Sequence, residues 1–202
     1  MQLIGMLDSP FVRRAAITLR LRGIPFEHRS LSVFRNYDEF KAINPLVKAP
    51  TLVGDDGGLL VDSSMIIDWA ETVGDGPSLM PADPAERLRA LRLIGLGLVA
   101  AEKTVQIIYE GKRDEARRDA NWVHRVESQL MAAYTALERD AQGWTPWLLG
   151  DVLSQADVTV AVAWRFTQLI RPDLVTPEQF PTLAALSERA EGLQAFAALP
   201  PE

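Results

Sequence analysis

Cysteine is absent from all 202 residues. That excludes disulfides, thiolate metal sites and a cysteine nucleophile. Histidine is scarce too: there are only two, His28 and His124, far apart in the chain. A histidine-based metal centre or a Ser-His-Asp triad therefore lacks its parts. No apolar run is long enough to span a bilayer. The opening MQLIGML is too short for a signal peptide and lacks its basic flank. Nor is there a basic stripe for nucleic acid or a polybasic cluster for a lipid surface; the net charge is −6, with both signs mixed along the chain. These absences predict a soluble, cytoplasmic protein with no metal, no nucleic-acid partner and no membrane partner. What is present is an apolar fraction of 48%, ordinary for a chain that buries a core. The length allows one large domain or two small ones.

The first 73 residues mix strands and helices. Leu3 to Leu7 reads as a strand, and Asp8-Ser9-Pro10 as a turn. Val12, Ala15, Ala16 and Leu19 follow at helical spacing, with Gly23 placed to end the helix. Pro10 suits the first helical position and Ser9 the N-cap. Phe26 to Leu31 alternates like a half-buried strand. A loop and short helix lead to Ile43-Asn44-Pro45, and Ala49-Pro50-Thr51-Leu52-Val53 opens another strand. Gly54 to Gly58 is a tight turn to the partner strand Leu59-Leu60-Val61. Asp62-Ser63-Ser64 then caps a helix through Met65, Ile66, Trp69 and Ala70. The expected order is β-α-β-α-β-β-α.

Residues 74–86 hold three prolines and two glycines and read as a linker. Beyond them the pattern is helical over 85–110, 115–141, 154–170 and 177–191. The segment 154–170 is apolar almost all round, as a central buried helix would be. The charged run Lys112 to Asp119 reads as a solvated helix start. Gly95-Leu96-Gly97 is unusual inside a helix, where Gly costs about 1 kcal/mol relative to Ala. It suggests close approach of another helix at Gly95, across a dimer among other options.

Four local signals carry chemistry or capping. Ser9 sits at a helix N-terminus, where partial positive charge stabilises an anion or a thiolate. Ala49-Pro50 fits either an ordinary edge-strand proline or a cis peptide that turns the Ala49 backbone outward to pair with an extended peptide. Asp62 and Ser63 cap a helix, and the same groups suit the ammonium and carboxylate of a ligand. Ser154-Gln155-Ala156-Asp157 fits a capping box, with Leu153 and Val158 as a hydrophobic staple.

In this order and at these separations the motifs resemble those of the cytosolic glutathione transferases. The resemblance extends over essentially the whole chain. It rests on Ser9-Pro10-Phe11-Val12-Arg13, on Asn44 to Pro50, on Asp62-Ser63 after a hairpin, on the linker and on Ser154-x-x-Asp157. It is nearest to bacterial serine-type enzymes and similar also to the zeta and theta classes. It implies a thioredoxin-like glutathione-binding domain over 1–76, a linker over 77–86 and an all-helical domain over 87–202 that supplies second-substrate and dimer contacts, in a homodimer. Glutathione is then the cosubstrate, with no further cofactor.

By the same resemblance, Ser9 is the catalytic group, bonded to the glutathione sulfur. Phe11, Arg35, Lys48, Ala49, Pro50, Asp62 and Ser63 join it in binding glutathione. Pro50 is the family's cis-proline, Ala49 pairs with the cysteinyl backbone, and Asp62 with Ser63 holds the γ-glutamyl end. Lys48 and Arg35 lie where the family contacts the glycyl end or the cysteinyl backbone. Leu7 and Tyr109 are the second-substrate candidates, with Met6 and Trp164 weaker ones. Ser154 and Asp157 are structural caps.

The chain departs from the family pattern at three of these positions: Ala49 for Val, Asp62 for Glu, and Val47 for a common Gly. It also lacks the cysteine of the zeta-type Ser-Ser-Cys pattern. The expected activity is thiol activation for attack on a small hydrophobic electrophile. The alternatives are a non-catalytic binding protein for glutathione, a hydrophobic ligand or a partner, and a glutathione-dependent peroxidase, lyase or dehalogenase.

Overall fold

The computed structural model describes residues 1–201. It falls into two compact units. The first runs from Met1 to Leu79 and takes in a C-terminal segment that starts at Gly192; the second spans Met80–Glu191. This division differs from the boundaries read from the sequence, because the end of the chain packs with the first unit.

In the first unit, β1 (Gln2–Ile4), α1 (Pro10–Leu21), β2 (Glu27–Arg29) and α2 (Tyr37–Ile43) are followed by β3 (Thr51–Val53), β4 (Leu59–Leu60) and α3 (Ser63–Val73). The order is the expected one. The sheet runs β2-β1-β3-β4. β1 pairs parallel with β2, Leu3 opposite His28, and antiparallel with β3, Leu3 opposite Leu52. Leu3, Ile4 and Leu52 on the strands, and Val12, Ala16 and Leu19 on α1, form the buried interior.

Three buried arginines, two on α1 and one at its C-cap, point inward as well. Arg13 donates to Leu199 O at 2.8 Å and lies over the Phe196 ring, in the short C-terminal helix Gln194–Ala197. Arg22 donates to Gly74 O at 2.7 Å and to Glu71 O at 3.2 Å, closing the end of α3. Arg14 goes to the beginning of α3. Such cations are interior only when their donors are satisfied.

The loop before β3 is held by Asn44. Its Nδ2 donates to Thr51 Oγ1 at 2.8 Å, and its Oδ1 accepts Leu46 N–H at 3.0 Å. Thr51 Oγ1 donates to Lys48 O at 2.6 Å. Within this loop Val47 takes φ +47°, a left-handed conformation that a β-branched residue rarely adopts. This is the position where the resemblance leads one to expect Gly.

The second unit is helical: α4 (Pro84–Gly111), α5 (Ala120–Ala141), α6 (Gln155–Ile170) and α7 (Pro181–Glu191). α6 is the buried centre, as its composition predicts. Tyr134 of α5 meets Trp164 of α6 edge to face at 5.5 Å, and its hydroxyl lies 2.7 Å from Thr167 Oγ1. Two boundaries differ from the sequence reading. Residues Glu115–Arg117 form a 3-10 turn, and α5 begins only at Ala120, where the Asp119 carboxylate accepts the Asn121 and Trp122 N–H groups. α7 begins at Pro181 rather than 177. There the buried Glu138 of α5 accepts the Thr182 and Leu183 N–H groups at 2.9 and 3.1 Å.

The capping box is present at the start of α6. The Asp157 carboxylate accepts Ser154 N–H at 2.8 Å, Ser154 Oγ–H at 2.6 Å and Leu148 N–H at 2.7 Å. Burial pushes the Asp157 carboxyl above its ordinary pKa, and these hydrogen bonds oppose the shift.

The close approach inferred from Gly95-Leu96-Gly97 is real but falls on the other glycine. A Cβ on Gly97 would meet Thr159 Cγ2 of α6 at 3.2 Å, whereas one on Gly95 would meet nothing within 4 Å.

Three stability outcomes are expected from these contacts, each read by denaturant unfolding. Gly95→Ala raises stability by about 0.5–1 kcal/mol, while Gly97→Leu lowers it by about 1–3 kcal/mol through overpacking; equal effects would remove the close-approach account. Asp157→Ala costs about 2 kcal/mol or more, since it strands two buried N–H groups. Val47→Gly stabilises by up to about 1 kcal/mol through relief of the left-handed Val; a loss of that size instead would show that Val47 packing outweighs its backbone strain.

Candidate functional site

Ser9 stands where the turn after β1 meets α1, at the N-cap position. The capping geometry is carried by the backbone: Ser9 O accepts Arg13 N–H at 2.9 Å. Its side chain makes no capping hydrogen bond and has no partner among the described residues. The sequence reading put Ser9 at the N-cap correctly, but its hydroxyl is not spent there. It is half-buried, at the positive end of a 12-residue helix whose first-turn N–H groups lack intrahelical partners.

The neighbour of this turn is set by Gly5, at the end of β1. Gly5 has φ +136°, and a Cβ there would fall 2.6 Å from Val12 Cγ2 and 3.1 Å from Ala49 Cβ. Only glycine allows α1 and the Ala49 loop to close on the strand end together. The sheet register agrees, with Ile4 opposite Thr51. The Ser9 turn and the Ala49-Pro50 loop are thus brought together. The Ala49–Pro50 peptide is cis. Among the described residues no hydrogen bond engages the backbone N–H or carbonyl of Ala49. An extended segment of another molecule can pair with that free edge.

Asp62 and Ser63 open α3. The Asp62 carboxylate accepts Ser64 N–H at 2.7 Å and so caps the helix, as expected. Its side chain is otherwise exposed. Ser63 is buried, and its Oγ accepts a hydrogen bond from Arg14 Nη1 at 2.9 Å; Ser64 Oγ accepts from the same nitrogen at 3.3 Å. Burial lowers the Arg14 pKa to about 10, and the negative charge of Asp62 works against that fall.

Arg14 is the residue that sequence reasoning passed over. A signal was available: Arg14, Thr18 and Arg22 recur at i, i+4 and i+8, a polar row running along α1 to its C-cap, and all three are buried. A polar row inside a helix otherwise facing a core marks a line of buried pairings.

The remaining candidates are more loosely placed. Phe11 is half-buried beside Pro10 on α1. Lys48 is exposed in the loop before Ala49. Arg35 is exposed, with Nη2 3.3 Å from the Met6 sulfur. Leu7 is only 6% exposed and belongs to the interior of the first unit. Tyr109 is 51% exposed, near the end of α4. Trp164 is 4% exposed and packs between Tyr134 and Phe180, which makes it a core residue. Ser154 and Asp157 are caps, as read. Among the described residues no group of three or more His, Asp or Glu side chains is placed to hold a metal ion. Nor is any described helix long and apolar enough to cross a membrane.

Comparison with known proteins bears on the fold and the family. Residues 3–78 match the family model of the glutathione S-transferase N-terminal domain, and residues 120–189 that of the C-terminal domain. The uncharacterized GST-like protein YibF of Escherichia coli (strain K12) is 31% identical over 132 residues, 62% of this chain and 65% of that relative. A probable maleylacetoacetate isomerase 1 of Drosophila melanogaster is 26% identical over 198 residues, 93% of this chain and 76% of the relative. Among solved structures, a glutathione S-transferase of Methylobacterium radiotolerans, in complex with glutathione sulfonate, is similar with a TM-score of 0.92. It is 30% identical, and the match covers 99% of this chain and 94% of the other. With a thioredoxin-like first unit, a helical second unit and both domain models matched in order, the chain belongs to the glutathione S-transferase family.

Proposed function

We propose that the first unit binds glutathione and activates its thiol for attack on a small hydrophobic electrophile. The observation that carries this reading is the half-buried Ser9 hydroxyl, left without a partner at the N-terminus of α1 beside the free backbone of Ala49. The thiol sulfur sits against Ser9 and the α1 N-terminus. The cysteinyl backbone pairs with Ala49. The γ-glutamyl ammonium goes to Asp62 and its α-carboxylate to Ser63. Lys48 and Arg35 face the glycyl end, and Phe11 and Pro50 close the walls. A cytoplasmic homodimer belongs to the same reading through the family.

The energetics are sufficient without a base. A thiol has a reference pKa of about 8.5, and lowering it by two units takes roughly 2.7 kcal/mol of preferential thiolate stabilisation. A hydrogen bond to a charged group supplies about 1.5–3 kcal/mol, and the helix end adds to it. Ser9 donates a hydrogen bond to the sulfur anion and keeps its own proton; it does not remove the thiol proton, which leaves to solvent.

A second reading is glutathione-dependent isomerisation, favoured by the identity to the probable maleylacetoacetate isomerase of Drosophila. Against it stands the absence of cysteine from the Ser9 turn. Both readings begin with the same thiolate.

Calorimetric titration with glutathione, followed by thiolate absorbance against pH, tests the proposal. Binding with a thiol pKa well below 8.5 is expected. Ser9→Ala should return that pKa towards its free value and slow reaction with a small aryl halide roughly tenfold or more, with a smaller change in glutathione affinity. Unchanged turnover in Ser9→Ala would remove Ser9 from the mechanism. Binding without a lowered pKa would leave a glutathione-holding scaffold, and no binding at millimolar glutathione would discard the site.

A further inference from the structure

Arg14 has a consequence for recognition at the start of α3, an inference that rests on the glutathione reading above. A guanidinium has only donors. Where Arg14 Nη1 lies 2.9 Å from Ser63 Oγ and 3.3 Å from Ser64 Oγ, both serines must accept. The hydroxyl hydrogen of Ser63 is therefore turned away from Arg14. Ser63 is also the first residue of α3, so its N–H has no intrahelical acceptor. Among the described residues no other group takes it. The N–H of Ser64 is already held by the Asp62 carboxylate at 2.7 Å. Ser63 thus offers two donors together, N–H and O–H, backed by a cation that is only 3% exposed.

We propose that Arg14 is a positioning residue that fixes Ser63 as a double hydrogen donor, so that this end of the site selects peptides bearing a free α-carboxylate on the γ-glutamyl residue. Arg14 does not touch the peptide. It sets the polarity of the residue that does. A serine without such a neighbour can turn its hydroxyl either way and meets an amide carbonyl, a hydroxyl or a carboxylate with little preference. With Arg14 on one of its two lone pairs, the hydroxyl keeps its hydrogen on the side away from the guanidinium, so that donation to the ligand is favoured over acceptance. The buried positive charge favours an anion over a neutral acceptor at the same place, because field strength rises as water is excluded. Burial depresses the Arg14 pKa to about 10, which marks the cation as one that a nearby negative charge would stabilise. Asp62 supplies part of that charge, and a ligand carboxylate on Ser63 would supply more.

The competing account is that Arg14 merely ties α1 to α3. Calorimetry on the full chain separates the two with a pair of peptides: glutathione, and 4-aminobutyryl-cysteinylglycine, which lacks only the α-carboxylate. The unsubstituted protein should prefer glutathione about tenfold or more, the range of a hydrogen bond to a charged group. Arg14→Met and Ser63→Ala should each bring that ratio below about threefold while the affinity for the analogue moves less than about twofold, since only the charge-assisted contact is lost. Arg14→Lys, another donor-only cation, should keep most of the preference. Equal weakening of both peptides by Arg14→Met would leave a structural tie and overturn the inference, and so would an unchanged ratio. If Arg14→Met does not fold, Arg14→Gln, neutral and able to accept, decides, and a ratio equal to that of the unsubstituted protein overturns the inference. Unsubstituted protein that binds both peptides equally well defeats this inference alone. Binding of neither defeats the glutathione reading and this inference with it.

Discussion

The first unit depends on one close approach. At Gly5 the strand β1, the helix α1 and the loop before β3 converge where no Cβ fits: it would stand 2.6 Å from Val12 and 3.1 Å from Ala49. The chain leaves the strand in a backbone conformation that side-chain-bearing residues rarely adopt. Because the strand ends there, the turn that follows presents Ser9 at the N-terminus of α1. Because the loop is drawn against the same point, the backbone of Ala49 lies beside it. Asn44 and Thr51 hold the rest of the loop through a chain of hydrogen bonds that ends on Lys48 O. The chemistry assigned to the site needs no unusual side chain. It needs a hydroxyl and a strip of backbone placed together, and both are left over once the packing at Gly5 is satisfied.

The second unit turns on a buried carboxylate. Asp157 collects three donors at the start of α6, two of them backbone N–H groups. Removing a carboxylate from water is costly, and the upward push on its pKa expresses that cost. The return is a helix whose start is fixed in register, so that Thr159 meets the bare backbone of Gly97 and Trp164 meets Tyr134. Glu138 repeats the device between helices, accepting the first N–H groups of α7 from a position on α5.

Much of this was legible in the sequence because the signals were local. A serine before a proline, an aspartate two residues before the N–H it accepts, and glycines between two short apolar runs each constrain their own neighbourhood, and these elements appear where expected. The failures share a cause. The start of α5 was placed too early because 115–119 is as polar as a helix start, while Asp119, the true cap, lies at the end of that run. The start of α7 was misplaced because its cap, Glu138, is remote in sequence. Between Gly95 and Gly97 in α4, periodicity did not tell which faces α6. The partner of Arg14 is 49 residues away, so nothing around it announced the pairing beyond the polar row it shares with Thr18 and Arg22.

Asp62 shows how one substitution changes a division of labour. The resemblance leads one to expect Glu there, and the shorter residue at first looks like a weakened ligand. The geometry gives it a different account. A side chain of this length folds back from the N-cap to the N–H two residues on, which is why Asp is among the preferred N-caps and Glu is not. One carboxylate oxygen is thereby committed to Ser64 N–H, and the exposed remainder of the group faces solvent. A longer residue would reach a ligand ammonium more freely but would hold the helix end less well. With Asp62 fixed, Ser64 is fixed, and both serines keep their oxygens towards Arg14. On the proposed reading, what is given up in reach for a ligand ammonium is offset by a better-ordered pair of donors for a carboxylate beside it. In the proposed site the two ends of one amino-acid headgroup would face groups of opposite polarity, the carboxylate of Asp62 and the donors of Ser63, which a helix cap holds one residue apart.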